Sequence, residues 1–368
     1  MVDPRIAKMA AVLVEYSLDV QPGDLMIIQA PARAEPLVQE VFRRSLERGA
    51  YLETKIGVSG LTEAFLQHAS EAQLRHVSPI EELVTDKFRV FLKIGADANT
   101  RSLANVDPSR VAMVHEAHRA LTSRFMQRAA EGGLRWCYTQ YPTEAYAQDA
   151  DMSLHEYEEF FFAACRLTEP DPVAAWRDQR EMQQRLIDWL AGRREVRLVA
   201  PPDTDLTLGI EGRRFVNAYG DSNFPDGEIF TGPVEDSVNG TVRFAYPSNV
   251  GGREVEDVRL RFKDGKVVEA RAMKNEEYLL RMLDTDAGAR VLGELGIGAN
   301  YGITRYTRNT LFDEKIGGTV HLALGHSYPE TGGRNVSAIH WDLVCDLRQG
   351  GEIRVDGNVF AKDGTFAV

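Results

Sequence analysis

Cysteine is scarce in this chain: three among 368 residues, Cys137, Cys165 and Cys345, widely spaced and with no C-x-x-C pair. An odd, scattered set excludes a disulfide framework and a thiolate zinc site, and reads as core thiols in a reducing compartment. Basic charge is also short. Lys plus Arg number 43 against 55 Asp plus Glu, a net charge of −12, which repels phosphate backbones and anionic bilayers, so neither nucleic acid nor membrane is an expected partner. No apolar run reaches eighteen residues. The first stretch, MVDPRIAKMAAVLVEYSLDV, mixes acids with periodic apolar residues where a secretory leader has a basic segment before an apolar block, so a cytoplasmic protein is expected. Familiar nucleotide and hydrolase templates are missing too. There is no G-K-S/T phosphate loop and no G-x-S-x-G elbow; HEYEE at 155–159 lacks the second histidine of a zinc-protease helix; GIGANY at 296–301 lacks the third glycine of a dinucleotide loop and follows a predicted helix.

What is present is the composition of an ordinary globular protein, 43% hydrophobic and 27% charged, in a chain long enough for two domains. In the first half, a predicted helix over residues 4–18 is followed by the turn QPGD and the apolar strand LMIIQA. In EPLVQEVFRRSLERGA, Leu37, Val38, Val41, Phe42 and Leu46 recur at helical spacing before Gly49 stops the run. FRVFLKIGA and LRWCYTQYP read as further buried strands, separated by a long helix over 108–130, and two more helical stretches follow. Alternation of this kind predicts an α/β domain over residues 1–194 with a mostly parallel sheet. From about residue 195 the texture changes to short strands punctuated by Gly, Asp and Asn, with KDGK as a hairpin turn and one helix from about Asn275 to Glu294. Residues 195–368 are therefore expected to form a β-rich domain.

Five of the eight histidines, His68, His76, His115, His118 and His155, fall in helical stretches of the first half, where solvation or an ordinary hydrogen bond accounts for them. The other three crowd into twenty residues. In IHWDL, His340 and Asp342 lie two apart on a predicted strand and so share a face, while Ile339, Trp341 and Leu343 make the other face apolar. GTVHLALG places His321 inside an otherwise apolar strand, where an unpartnered imidazole costs about 1–3 kcal/mol. Three carboxylates complete the set: Glu294 in LGELGIG, Glu314 in FDEKIGG, and Glu228 in the loop NFPDGEIFTGP. Together these form an N/O donor set without thiolate, suited to Zn, Co, Mn or Fe(II). Five or six ligands rich in carboxylate are too many for one open zinc and fit a two-metal site with a bridging carboxylate. The same two histidines with Asp342 also match the facial triad of a non-haem Fe(II) ring-cleaving dioxygenase, and a metal-binding protein without turnover is a further alternative.

EYSLDVQPGDLMIIQA, NFPDGEIFTGPVEDSVNGTV, LGELGIGAN, TLFDEKIGGTVHLALGHSYPE and IHWDLV together resemble the thermophilic aminopeptidase family, the aminopeptidase T and aminopeptidase S group of metallopeptidases. The likeness spans most of the chain and is most specific over residues 223–343. It implies metal ligands at Glu228, Glu294, Glu314, His321, His340 and Asp342, with Tyr328 as a catalytic hydrogen-bond donor and Glu294 or Glu314 moving a proton. It also implies two divalent metal ions, peptide substrates with a free N-terminus, a homodimer, and a barrel-like C-terminal domain carrying the metals.

Overall fold

The computed structural model describes residues 3–250 and 253–368, and the chain divides into two compact units. The first comprises Met1–Ala175 with Gly220–Phe224, the second Trp176–Tyr219 with Pro225–Val368. Sequence texture places a boundary at residue 194/195, whereas the contacts divide the chain at 175/176, inside the helix Pro172–Leu190. The reason is in the packing: Leu186 and Leu190 belong to the core of the second unit, with Met182, Ile187 and Trp189 against it.

The first unit is built on a parallel sheet, β1 (Leu25–Pro31), β2 (Tyr51–Gly57), β3 (Val90–Gly95) and β4 (Arg135–Gln140), in the order β2-β1-β3-β4, closed by the two-residue strand Asn223–Phe224. All pairings are parallel. The α/β architecture predicted from alternation is what forms, because strands such as LMIIQA carry apolar side chains on both faces. Met26, Ile28, Val90 and Leu92 are fully buried, as are Met9, Leu37 and Val41 of the helices Pro4–Val12 and Glu35–Glu47. The long helix is where the periodicity puts it, Pro108–Ala130, capped by Asp107, whose carboxylate accepts from Ser109 N at 2.8 Å.

The second unit is mostly antiparallel. An eight-stranded sheet runs, in spatial order, Lys266–Arg271, Val258–Lys263, Asn239–Phe244, Thr204–Gly209, Glu195–Ala200, Glu352–Val355, Asn358–Lys362 and Thr365–Phe366. A five-stranded sheet runs His340–Asp346, Thr319–Gly325, Leu292–Gly298, Glu228–Thr231 and Val216–Ala218. Val196, Leu198, Val242 and Phe244 of the first sheet share one apolar core with Leu295, Ile297, Leu322 and Trp341 of the second. Among the described residues no helix is long and apolar enough to cross a membrane.

Two local expectations are corrected. Glu294 does not end a helix: that helix is Glu276–Leu283, and Glu294 lies in the strand Leu292–Gly298. Glycine at 293, 296 and 298 explains this, since each glycine weakens a helix yet admits a close neighbour in a central strand. Glu228, expected in a loop, is the first residue of the strand Glu228–Thr231.

Candidate metal centre

The five-stranded sheet has one apolar face and one ionisable face, and strand alternation decides which residue goes where. Val320, Leu322 and Leu324 enter the core, as do Leu295 and Ile297, Ile229, and Trp341 and Leu343. That leaves His321, Glu294, Glu228, His340 and Asp342 on the opposite face. The register brings them level: Gly296 pairs with His321, Gly298 with Glu228, Glu294 with Ala323, and Ala323 in turn with Asp342. A bulge between Leu292 and Glu294 absorbs Gly293 and returns Glu294 to the ionisable face. Gly296 is the vacancy into which His321 fits. A Cβ there would lie 1.9 Å from the imidazole Cε1, so no larger residue is compatible with this ring position.

All six residues singled out in the sequence meet here. His321 Nε2 lies 3.3 Å from Glu294 Oε1 and 4.0 Å from Asp342 Oδ1, and its Nδ1 lies 3.4 Å from Glu228 Oε2. His340 Nε2 lies 3.2 Å from Glu294 Oε2 and 3.4 Å from Asp342 Oδ1. Glu314 follows the short helix Thr310–Asp313. Tyr328 packs its ring on His340, centroids 5.1 Å apart, and on Phe230 at 5.5 Å.

The histidines are oriented alike. His321 Nδ1 donates to the Glu314 carbonyl at 3.1 Å and His340 Nδ1 to the His326 carbonyl at 2.8 Å. A carbonyl oxygen only accepts, so both Nδ1 atoms carry hydrogen, and in each neutral ring the lone pair sits on Nε2, facing the carboxylates. Pinning one imidazole nitrogen to fix the other is how metal-ligating histidines are held.

Electrostatics of the metal-free cluster point the same way. Burial disfavours the His321 imidazolium, yet Glu228 and Glu294 outweigh it and carry its pKa up to about 10. His340 rises to about 11 against the same burial, through Asp342 and Glu294. Burial drives Glu228 up to about 8 despite Lys315 and His321, whereas Glu294 is lowered, burial being overcome by the two imidazoles. Protons on the rings stand in the places a cation would take. Even so, the donor set is incompletely satisfied: Glu228 Oε2 and Asp342 Oδ1 are buried and accept no hydrogen bond, an arrangement costing about 1–3 kcal/mol per group unless a cation completes it. Two groups of ligand atoms lie close enough to hold an ion, Glu294 with His340 and Asp342, and Glu314 with His321 and Asp342. The residues present therefore fit divalent metal.

Three neighbours were not foreseen. Lys315 is 1% exposed, its ammonium on Glu314 and 3.5 Å from Glu228 Oε1; its place beside Glu314 in FDEKIGG was the available signal. Asp313 accepts from Thr307 N at 2.7 Å, Thr307 Oγ1 at 2.9 Å and Asn309 N at 2.8 Å, fixing the turn that presents Glu314. Gln183, fully buried, donates to the Glu228 carbonyl at 2.8 Å; within a helical pattern nothing marked it.

With this geometry established, comparison with known proteins decides the family. The model of the thermophilic metalloprotease family M29 matches residues 2–366. The chain belongs to that family. Its relatives include Aminopeptidase 2 of Geobacillus stearothermophilus, 30% identical with 98% of this chain and 95% of the relative covered. Among solved structures, wild-type AmpT from Thermus thermophilus superposes with a TM-score of 0.86 at 25% identity, covering 99% of each chain. The 2,5-dihydroxypyridine dioxygenase of Pseudomonas putida KT2440 shares the fold, with a TM-score of 0.58 at 13% identity over 100% of this chain and 99% of that one.

Proposed function

We propose that this metal-dependent aminopeptidase of the M29 family works through two divalent ions, Zn, Co or Mn, to release the N-terminal residue of peptides. The observation that carries the two-ion reading is the pair of ligand groups sharing Asp342. Glu294, His340 and Asp342 would hold one ion, Glu314, His321 and Asp342 the other, with Glu228 beside His321. The chemistry such ions supply is Lewis acidity, an activated water near neutral pH and a polarised scissile carbonyl.

Both Glu294 oxygens face imidazole Nε2 atoms, which suits Glu294 to metal binding alone, whereas Glu314, besides its place in the second ligand group, would carry the proton for the leaving amine, its carboxyl being raised by burial. Tyr328 is kept protonated, burial and then Glu294 and Asp342 pushing its pKa upward. It can therefore donate to the developing oxyanion, a contact worth about 2.7–4 kcal/mol in comparable sites. Lys315 offsets the charge of Glu228 and Glu314. The family resemblance further supports a homodimer.

Metal analysis beside hydrolysis of aminoacyl p-nitroanilides tests the reading. Chelation should abolish hydrolysis, Zn, Co or Mn should restore it, and about two ions per chain should be bound. One iron per chain with oxygen uptake would instead make this a dioxygenase.

A further inference from the structure

The face of the parallel sheet that carries Leu25, Ile27 and Gln29 is not closed off. Between it and the helices Pro79–Lys87 and Pro108–Ala130 lies a cavity of about 850 Å³ within the first unit. That volume is within the range of small-molecule sites, roughly 300–1,000 Å³, which are mostly apolar with a few polar groups that fix orientation. Here the polar groups are ordered by strand register. Ile27 is level with Glu53 on one side and Phe91 on the other; two residues nearer the carboxyl ends of the strands, Gln29 is level with Lys55 and Lys93. The apolar part of the wall, Ile27, Phe88, Phe91, Leu121 and Phe125, thus leads to a row Lys55–Gln29–Lys93 at the carboxyl ends, where open α/β sheets bind their ligands.

The cations in this row differ. Lys55 is engaged, its ammonium 3.2 Å from Glu81 Oε1, and the other Glu81 oxygen faces His118 Nε2 at 3.1 Å. Lys93 contacts no carboxylate among the described residues; its ammonium lies 5.9 Å from the centroid of the Tyr138 ring. From Leu25 to Gln29 the wall extends for about 13 Å at the ordinary strand rise, so the space suits an elongated apolar body with one anionic end. We infer that this cavity binds an apolar carboxylate, its hydrocarbon against Ile27, Phe91 and Phe125 and its carboxylate on Lys93 and Gln29.

An acyl chain and the C-terminus of an apolar peptide both have this chemistry, so both are titrated calorimetrically into the full-length, metal-loaded protein, as decanoate and as N-acetyl-dileucine. Saturable binding of either supports the site, and the tighter of the two names the source. Methyl decanoate should bind about tenfold more weakly than decanoate, the worth of one charge-assisted hydrogen bond. Lys93→Gln should erase that difference, and Leu121→Trp, which narrows the apolar part of the cavity, should weaken binding of both carboxylates. Peptide hydrolysis by both variants should match the parent and certifies their folding; Lys93 is exposed, so its replacement carries the test even if the tryptophan is not accommodated. Failure of both carboxylates to bind, or decanoate binding unchanged by Lys93→Gln, overturns the inference.

Discussion

Two sheets in this molecule carry charged side chains on one face, and they treat that charge in opposite ways. In the second unit, the ionisable face is densely interlocked: His321, His340, Glu294, Asp342, Glu228 and Lys315 contact one another at 3.2 to 4.0 Å, and His321, Glu294, Glu228 and Lys315 are buried. In the first, the charged row is open, Lys93 is exposed, and the helix Pro108–Ala130 has no fully buried residue. Burial makes the difference. Where water is excluded, each charge is held in place by its partners, so position and ionisation are set jointly. Where water reaches, each charge is nearly independent.

The sharpest way to break this comparison is to remove the residue both ligand groups share. Asp342→Ala should lower kcat/KM for aminoacyl p-nitroanilides by about a thousandfold or more and reduce bound metal below one ion per chain, since Lewis-acid stabilisation is worth several kcal/mol. Retention of both ions would show that Asp342 is not shared. Next in size is Lys315→Met. Its loss leaves Glu228 and Glu314 buried without their cation, and breaking a buried pair costs about 3–5 kcal/mol. The chelated variant should therefore unfold at markedly lower urea, while added Zn should recover much of the loss and bind more tightly than in the parent. A chelated variant as stable as the parent would mean that Lys315 does not offset those carboxylates.

pH sharpens the contrast further. In the metal-free protein His321 and His340 titrate at about 10 and 11, against about 6.5 in an unfolded chain. A raised folded pKa means that the folded state holds more protons than the unfolded one between these values. Their contribution is complete below about pH 6.5 and fades as pH climbs towards 10 for His321 and 11 for His340. Glu228, raised to about 8, acts in the same direction, fading from its ordinary carboxylate range up to that value. Melting of the chelated protein should therefore shift to lower temperature between pH 6.5 and 9.5, and the gap to the metal-loaded protein should widen. A chelated melting temperature that stays level or rises over that interval contradicts the proton-filled cluster.

The same contrast explains what the sequence made legible. Periodicity exposed the strands carrying His321 and His340 because core residues alternate with ligands there, Val320, Leu322 and Leu324 around His321, Trp341 and Leu343 beside Asp342. It failed at Glu294, where a bulge interrupts the alternation and glycines leave no side chains to read. It was also silent on Lys315, which pairs with distant Glu228 as well as with its neighbour Glu314, and on Gln183, which reaches Glu228, 45 residues away. The strand Tyr51–Gly57 was missed for the opposite reason. It is an edge strand, exposed along nearly its whole length, and no buried face imposed a pattern on it.

The smallest expected effect comes from the loosely packed side of the comparison. Met126, in the helix Pro108–Ala130, is 52% exposed. Its truncation opens no sealed cavity, and alanine has the higher helix propensity, so the two contributions nearly cancel. Met126→Ala should change unfolding free energy by less than about 0.5 kcal/mol, as surface substitutions do. A loss of 2 kcal/mol or so would place it in the range of buried methionines. The helix would then be packed as tightly in solution as the sheet that carries the metal centre, and the distinction between a locked face and an open one would fail.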